Sequence, residues 1–445
     1  MNALGRYVRR FRGFGPDARR FLVVSLVYGA ALSLFWIDFN LFLASIGLVP
    51  AQIGLIVTAS SVAGALAAIP AGLLADRFGR RLMLIGGTVL VAFACLGCVF
   101  AVEPLVLGGL AMLFGVGGQA ISISSVPFMT EHSTPEQRNE LFSLQFAIGS
   151  FTNVAAAVLG GLVAGWVAQI GGYSPDGPVA YRAILVLMFL LVLVALALLA
   201  RISDDRPPRP GSAAAPTAVR EPSAERHPVL GAVPRRHRIE DPGLFLRLLL
   251  PGFLTALGAG QVIPFLNLFV QGKFGLDLSA INALFAVTGL GTMVAILLQP
   301  AIARRFGRMG SVVLVQGASL PFLAVLGFSP VLWTVVIAMA VRNSLMNAAN
   351  PILNAFAMDQ VRASERALLA SLMSFLWSVG WAIAGPWYSL LQANLGFSLG
   401  YTVNFVTILT LYTTATMLYW FWFGRAERAS RLAALGEGAT GPAGA

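Results

Sequence analysis

Long apolar stretches recur along the chain, and short polar segments separate them. A helix needs about 20 mostly apolar residues to cross a bilayer. Twelve stretches reach that length, which predicts an all-α integral membrane protein with twelve transmembrane helices. The predicted spans lie at residues 21–46, 52–75, 82–102, 104–129, 141–168, 181–200, 244–271, 278–303, 309–328, 331–356, 367–393 and 399–423.

One longer polar segment, residues 202–243, divides these spans into two groups of six. It is rich in Pro, Ala, Ser and charged residues, a composition typical of a flexible linker. We therefore predict an N-terminal half at 1–201 with a basic tail at 1–20, a linker at 202–243, a C-terminal half at 244–424 and a tail at 425–445. The basic, aromatic start of the N-terminal tail fits either an interfacial helix or an unstructured segment.

The two halves repeat each other at an offset of 228 residues. Phe78-Gly79-Arg80 recurs as Phe306-Gly307-Arg308. Further matches relate Glu131 to Asp359, Arg138 to Arg366, Gly47 to Gly275 and, at an offset of 227, Asn40 to Asn267. Parallel six-helix repeats joined by a linker are typical of one class of secondary transporter.

The amino-acid composition excludes several soluble classes of protein. Hydrophobic residues make up 57% of the chain and charged residues 11%, whereas soluble domains have about 25% charged residues. A soluble enzyme, a coiled coil and a disordered protein are therefore excluded. Cys95 and Cys98 lie inside an apolar run, and with three His residues they predict neither a disulfide framework nor a metal site.

The net charge of +11 follows from the distribution of arginines. Nearly all of them precede or follow spans on the side that carries both termini. Only Arg182 and Lys273 are placed on the opposite side, and Arg342 lies within a span. The positive-inside rule puts both termini in the cytoplasm, so the charge reflects topology and not nucleic-acid binding.

Residues 72–84, GLLADRFGRRLML, resemble the signature loop of the major facilitator superfamily between its second and third helices. The resemblance implies twelve helices in two pseudo-symmetric halves, transport by alternating access, and loop contacts that lock the outward-open state. Arg80 is expected to reach Glu131, at the end of the fourth span. The implied gating set is Gly72, Asp76, Arg77, Gly79, Arg80, Arg81, Glu131, Arg138, Arg308 and Asp359.

Two features depart from the pattern of the family's proton-coupled members. Phe114 stands where many of them have an Arg, and Arg342 occupies the mirror position in the tenth span. The fifth span lacks the Gly-Pro motif of drug–proton antiporters, whereas Gly385-Pro386 occurs in the eleventh. These departures weaken an assignment to the standard drug–proton antiporters.

Two charged residues are predicted inside spans, Asp38 in the first and Arg342 in the tenth. Ionisable groups in a bilayer are costly and usually functional. Asp38 is interpreted as a proton-carrying carboxylate, or else as a structural or snorkelling group. Arg342 is interpreted as a clamp for a substrate anion, a counter-charge to Asp38 or a packing cation.

Amide and aromatic side chains in the spans are candidates for the substrate cavity. They can equally serve as helix contacts or interfacial anchors. The candidate substrate-binding residues are Trp36, Asn40, Gln119, Gln145, Gln261, Asn267, Asn343, Asn347, Asn350, Trp377 and Trp381.

The sequence thus predicts a monomeric secondary transporter of the bacterial inner membrane, working with protons, a small-molecule substrate and the lipid bilayer. We expect export of a small organic solute. Uptake or facilitated diffusion of a polar solute such as a sugar is the alternative, and a sensor with a transporter shell is a remote one. No cofactor, catalytic residue or metal site is expected.

Overall fold

The computed structural model describes residues 13–203, 241–362, 365–425 and 427. Most of the basic tail, residues 204–240 of the predicted linker and most of the C-terminal tail lie outside the described residues. Within helices, the side chains of Asp76, Arg138 and residues 293–306 are also outside the description.

The described residues form helices joined by short turns, and none of them is in a strand. We number the α-helices in chain order. They are α1 Pro16–Ser45, α2 Pro50–Phe78, α3 Arg80–Phe100, α4 Pro104–Glu131, α5 Pro135–Gly171, α6 Pro178–Leu199, α7 Pro242–Val262, α8 Leu266–Phe274, α9 Leu278–Phe306, α10 Arg308–Phe328, α11 Leu332–Gln360 and α12 Arg366–Tyr419.

Proline defines many of the helix starts. Six helices, α1, α2 and α4 to α7, have Pro as their first residue, where its missing N–H costs no hydrogen bond and its fixed φ suits a helix. The Asp241 side chain caps α7 by accepting a hydrogen bond from Leu244 N at 2.9 Å. These local signals explain why most ends fall within a few residues of the predicted ones.

Ten helical segments of the described chain are long and apolar enough to cross a membrane. The last, Leu368–Gly424, has 57 residues and contains both the eleventh and twelfth predicted spans. The shorter apolar helix Leu278–Thr292 corresponds to the predicted eighth span. The chain is therefore a multi-pass membrane protein, consistent with twelve spans.

Two features differ from uniform spans. The seventh is broken, because a 3-10 turn at Ile263–Phe265 separates α7 from α8, and Pro264 has no N–H to continue the ladder. The eleventh and twelfth are two helices within the continuous segment α12, and they meet at Gly396, where the backbone is not helical and φ is 69°. Only glycine adopts such a left-handed φ readily.

The backbone repeats the sequence symmetry at the loops before α3 and α10. Gly79 has φ 94° and Gly307 has φ 83°, and each is the N-cap of the following helix. Side chains rarely tolerate a positive φ. The sharp loop of the signature motif is thus built in both halves, although Arg304 replaces its aspartate in the second.

The chain folds into two compact units. The first comprises 1–32, 59–152 and 185–238, and the second 33–58, 153–184 and 239–445. The boundaries cross α1, α2, α5 and α6, so the units differ from the predicted sequence halves. In the first unit, a core around Phe21, Phe128 and Leu199 is buried. The second has a core around Leu248, Val312 and Leu369 and a smaller one at Ile37, Ala157 and Ala286.

Candidate functional site

The signature loop lies in the first unit and joins α2 to α3. Arg80 Nε lies 3.6 Å from Glu131 Oε1 at the end of α4, which is the contact expected from the sequence. Arg81 Nη2 donates to the carbonyl of Ala200 at 2.8 Å, where a cation faces the negative end of α6. Arg77 lies over the ring of Phe78, 5.3 Å from its centroid.

The repeat of this loop lies in the second unit and carries the equivalent ion pair. Arg308 Nη1 contacts Asp359 Oδ2 at the end of α11. The carboxylate of Glu427 also accepts from the backbone N–H groups of Arg308 and Met309, each at 2.8 Å. An acidic side chain therefore caps the positive end of α10, a contact that the sequence did not predict.

Asp38 is buried in α1, with 3% of its surface exposed. Its Oδ1 accepts a hydrogen bond from Asn282 Nδ2 of α9 at 3.0 Å. Its Oδ2 is buried and has no hydrogen-bond partner. From α5, Gly160 approaches it closely, since an added Cβ there would lie 3.0 Å from Oδ2. Asp38 is therefore buried beside an amide and a glycine.

Asn40 and Asn267 form a reciprocal pair of hydrogen bonds. Asn40 Nδ2 donates to the carbonyl of Pro264, and Asn267 Nδ2 donates to the carbonyl of Ile37 at 2.6 Å. Each amide thus bonds the carbonyl of the residue three positions before the other asparagine. Because Asn40 and Asn267 are also repeat equivalents, this contact follows the pseudo-twofold symmetry. We call Asp38, Asn40, Asn267 and Asn282 the amide cluster.

The break in the seventh span supplies the acceptors for these contacts. Leu268 N donates to the Asn267 side chain at 2.8 Å, and the carbonyl of Pro264 accepts from Asn40. The next carbonyl, of Phe265, accepts from the Tyr401 hydroxyl at 3.2 Å. Side chains from other helices thus bond the backbone carbonyls at the break.

Arg342 is buried in α11 and bonds a different set of groups. Its Nη1 donates to Asn343 Oδ1 at 2.8 Å and its Nη2 to the Tyr412 hydroxyl at 3.1 Å. The guanidinium also lies 5.5 Å from the centroid of the Tyr412 ring. Among the described contacts of Asp38 and Arg342, none joins the two. The structure therefore does not bring the two charges together as an ion pair.

Three tryptophans of the second unit form an aromatic cluster, which we call the tryptophan cluster. The ring centroids of Trp36 and Trp381 are 5.8 Å apart and nearly perpendicular, and those of Trp377 and Trp381 are 6.2 Å apart. Trp36 is 47% exposed and Trp377 42%. Trp381 Nε1 is shielded from solvent and has no hydrogen-bond partner. The cluster offers ring faces and one N–H donor.

The other predicted amides are dispersed. Gln261 is buried, Asn343 is half-buried beside Arg342, and Asn347 and Asn350 are exposed. Asn347 Nδ2 bonds the Asn343 carbonyl of its own helix at 2.9 Å. Gln119 and Gln145 belong to the first unit and are half-buried.

Sequence reasoning missed Asn282 and Tyr412, the partners of the two buried charges. An amide in the apolar first turns of α9 could have drawn attention to Asn282, but nothing in the sequence pairs it with Asp38. The role of Gly385 was also unexpected. A Cβ there would lie 1.9 Å from Thr58 Oγ1, so this glycine permits close contact between α12 and α2. In the parts of the chain that the structure describes, no three His, Cys, Asp or Glu residues converge as a metal site.

These features define a membrane transporter built from two six-helix repeats. The sequence profile of the Major Facilitator Superfamily matches residues 21–385. The chain belongs to this superfamily, and it is a transporter and not an enzyme.

Similarity to individual curated proteins is more limited. The chain is 35% identical over 100 residues to the multidrug resistance protein MdtH of Salmonella typhimurium, and 31% identical over 98 residues to MdtH of Photorhabdus laumondii. Each match covers 22% of this chain, and the chain spans only 23% of the length of these relatives.

Solved transporter structures share the fold over nearly the whole chain. A D-xylose–proton symporter superposes with a TM-score of 0.68 at 14% identity, covering 90% of this chain and 97% of its own. The nucleoside transporter NupG superposes with a TM-score of 0.66 at 12% identity, covering 91% of this chain and 99% of its own. A bacterial homologue of the human lysosomal transporter Spinster superposes with a TM-score of 0.67 at 16% identity, covering 91% of this chain and 96% of its own. At these identities the likeness concerns the fold alone.

Proposed function

We propose that this protein is a proton-coupled secondary transporter that exports small, largely apolar organic molecules by alternating access. The observation that carries the proposal is Asp38, a carboxyl buried in α1 whose hydrogen-bond partner is an uncharged amide. An ionised carboxylate is costly to bury without a cation. Asp38 would therefore take up a proton from the outer side, hold it while buried, and release it toward the cytoplasm, which is the direction that export in exchange for protons requires.

The tryptophan cluster supports an apolar or aromatic substrate. Ligand sites are lined mainly by hydrophobic and aromatic side chains with a few polar groups, and aromatic rings favour stacked or edge contacts. Trp36 and Trp377 offer exposed rings. Trp381 Nε1 offers a donor that a hydrogen-bond acceptor on the substrate could use.

Export is the proposed direction, and the short match to MdtH supports it. The arginine distribution supports a bacterial inner-membrane location with both termini in the cytoplasm. In this orientation the amide cluster would lie toward the outer side. Asp76 and the Arg80–Glu131 pair would act at the cytoplasmic side, where the family resemblance implies a lock on the outward-open state.

The test uses inside-out membrane vesicles that contain the protein and are acidified inside by respiration. Ethidium is the planar aromatic probe, and a quenched pH-sensitive dye reports the gradient. If the protein exchanges protons for ethidium, adding ethidium restores the dye fluorescence, and Asp38→Asn abolishes this recovery. Recovery that is equal in Asp38→Asn vesicles would refute the proposed role of Asp38.

The tryptophan cluster is tested in the same assay. Trp377→Ala should raise the ethidium concentration for half-maximal response severalfold. Trp333→Ala is the matched control, because Trp333 is 73% exposed and outside the cluster. Equal effects of the two changes would contradict a substrate role.

Uptake of a polar solute is the second candidate, and the exposed amides Asn347 and Asn350 of α11 favour it. Radiolabelled D-xylose and uridine, offered to right-side-out vesicles, test it directly. Accumulation of either solute, with no response to ethidium, would replace the export proposal.

A further inference from the structure

We infer that Asn282 is the residue that detects the proton on Asp38, so that the amide cluster closes fully only when this carboxyl is protonated. The inference rests on the proposed proton coupling and extends it with a positioning residue. It starts from two buried oxygen atoms, Asp38 Oδ2 and Asn282 Oδ1, neither of which has a hydrogen-bond partner.

The orientation of the Asn282 amide is fixed by its own helix. Its Nδ2 donates to the Leu278 carbonyl at 3.1 Å as well as to Asp38 Oδ1 at 3.0 Å. Reversing the amide would place its oxygen against the Leu278 carbonyl oxygen. Asn282 Oδ1 must therefore remain an acceptor on the side that faces Asp38 and Gly160.

The two unpartnered oxygens border the same small space. A Cβ added to Gly160 would lie 3.0 Å from Asp38 Oδ2 and 3.1 Å from Asn282 Oδ1. Two acceptors that border the same buried space repel, because neither carries a hydrogen. A proton on Asp38 Oδ2 turns this oxygen into a donor. Asp38 and Asn282 can then form two hydrogen bonds, one in each direction.

A metal ion fits this space less well than a proton. Hard cations such as Ca²⁺ take about 6–8 oxygen ligands, whereas two unpartnered oxygens border this space. A proton needs only one donor atom and one acceptor.

The repeat symmetry sets Asp38 and Asn282 apart as a matched pair. At the offset of 228 the counterpart of Asn282 is Gly54, and at 227 the counterpart of Asp38 is Phe265. Gly54 packs closely against Ser389, whose Oγ would lie 2.1 Å from an added Cβ. The repeat-related positions therefore lack both the carboxyl and the amide.

Few other titratable groups face Asp38. From α6, Tyr181 is within electrostatic reach of Asp38 and also of Asp176 and Asp277 near the start of α9. The neighbouring surfaces of α5 and α9 present Gly160, Ala157 and Ala286. Among the described residues, no cation acts on Asp38, so protonation is the direct way to neutralise it.

The experiment measures closure by the distance between two spin labels in the second unit, at Val49→Cys and Ala393→Cys, in nanodiscs. Both sites are exposed, and the native Cys95 and Cys98 are buried. Because the proton stabilises the closed cluster, the closed fraction should fall as the pH rises. The expected change in the ratio of closed to open molecules is about three- to tenfold, the effect of one buried hydrogen bond.

Four variants separate detection from plain structural support. Asn282→Leu should lower the ratio of closed to open molecules at low pH by about three- to tenfold, because the protonated carboxyl of Asp38 loses its acceptor. Asp38→Asn should stay closed at every pH, since an amide at 38 can make both hydrogen bonds. The exchange Asp38→Asn with Asn282→Asp should restore the pH response, because the acid and the amide have only changed places. Thr288→Val, which removes a hydroxyl bonded within α9, should keep the native response.

The inference is overturned if Asn282→Leu follows the native pH curve, if the exchanged pair stays independent of pH, or if closure responds to sodium at constant pH. The distance measurement requires no substrate. A failure of proton-coupled export would appear in the vesicle assay alone, so the two failures are distinguishable.

Discussion

Asp38 and Arg342 are the two Asp, Glu, Lys or Arg residues that the structure shows as buried among the placed side chains. Each has uncharged partners: Asp38 bonds Asn282, and Arg342 bonds Asn343 and the Tyr412 hydroxyl. The sequence left open a structural ion pair between them. The geometry favours two separate sites, each of which carries its own burial cost.

A double-mutant cycle tests this separation. We predict that the changes in unfolding free energy caused by Asp38→Asn and Arg342→Gln add to within about 0.5 kcal/mol, as for independent sites. Breaking a buried ion pair from one side would instead cost about 3–5 kcal/mol, and the second change would recover much of it. Thermal unfolding of the purified single and double variants gives the coupling free energy between the two residues. A large favourable coupling would restore the ion-pair interpretation.

At the scale of elements, the broken seventh span and α1 depend on each other. At the break, Asn40 of α1 donates a hydrogen bond to the Pro264 carbonyl, and Asn267 of α8 donates one to the Ile37 carbonyl. Both bonds must separate if this end of the transporter opens. We therefore interpret the reciprocal pair as a latch that works without any change of charge.

We predict that Asn40→Ala lowers the closed fraction in the spin-label measurement at every pH. The change leaves the buried Pro264 carbonyl without a partner, which costs about 1–3 kcal/mol. Asn267→Ala should act in the same direction, because the contact is reciprocal. Thr402→Ala is the control, since this exposed hydroxyl bonds only its own helix. A closed fraction that matches the control would rule out the latch.

The signature loop between α2 and α3 is the second connection between helices for which we predict a role in gating. The side chain of Glu131 is half exposed, and its contact with Arg80 is long, so the pair adds about 0–1 kcal/mol to stability. We predict that Glu131→Gln, like Asp76→Asn, shifts the melting temperature little but reduces ethidium-driven proton release severalfold. Glu103→Gln, an exposed change in the loop before α4, is the control. Unchanged transport in both variants would argue against a gating role.

At the scale of the whole molecule, the orientation in the membrane remains a prediction from the arginine distribution. Thr134 in the turn before α5 and Ser174 in the turn before α6 are exposed and lie at opposite ends of α5. We predict that a membrane-impermeant maleimide labels Ser174→Cys in intact cells, and Thr134→Cys only in inside-out vesicles. The buried Cys95 and Cys98 should stay unlabelled in both. The reverse pattern would invert the topology.

The sequence by itself determined the spans, the repeat and the signature loop. Hydropathy along the chain measures the cost of placing each segment in lipid, and that cost depends little on the neighbouring helices. The repeat offset and the positive-φ glycines Gly79 and Gly307 are likewise local features. Spans, repeat and glycine positions can all be read from the order of the residues, without knowing which helices are in contact.

Only the tertiary structure decided which side chains meet. Asn282 lies 244 residues from Asp38, and no spacing rule relates them. Asn40 and Asn267 match as repeat positions, but only the structure shows that Asn40 bonds the Pro264 carbonyl and that Asn267 bonds the Ile37 carbonyl. A counter-charge to Asp38 was one of three interpretations of Arg342, and the structure shows it bonded to Tyr412 and Asn343. Partner choice depends on how helices rotate and approach one another, and packing across the whole fold sets that geometry.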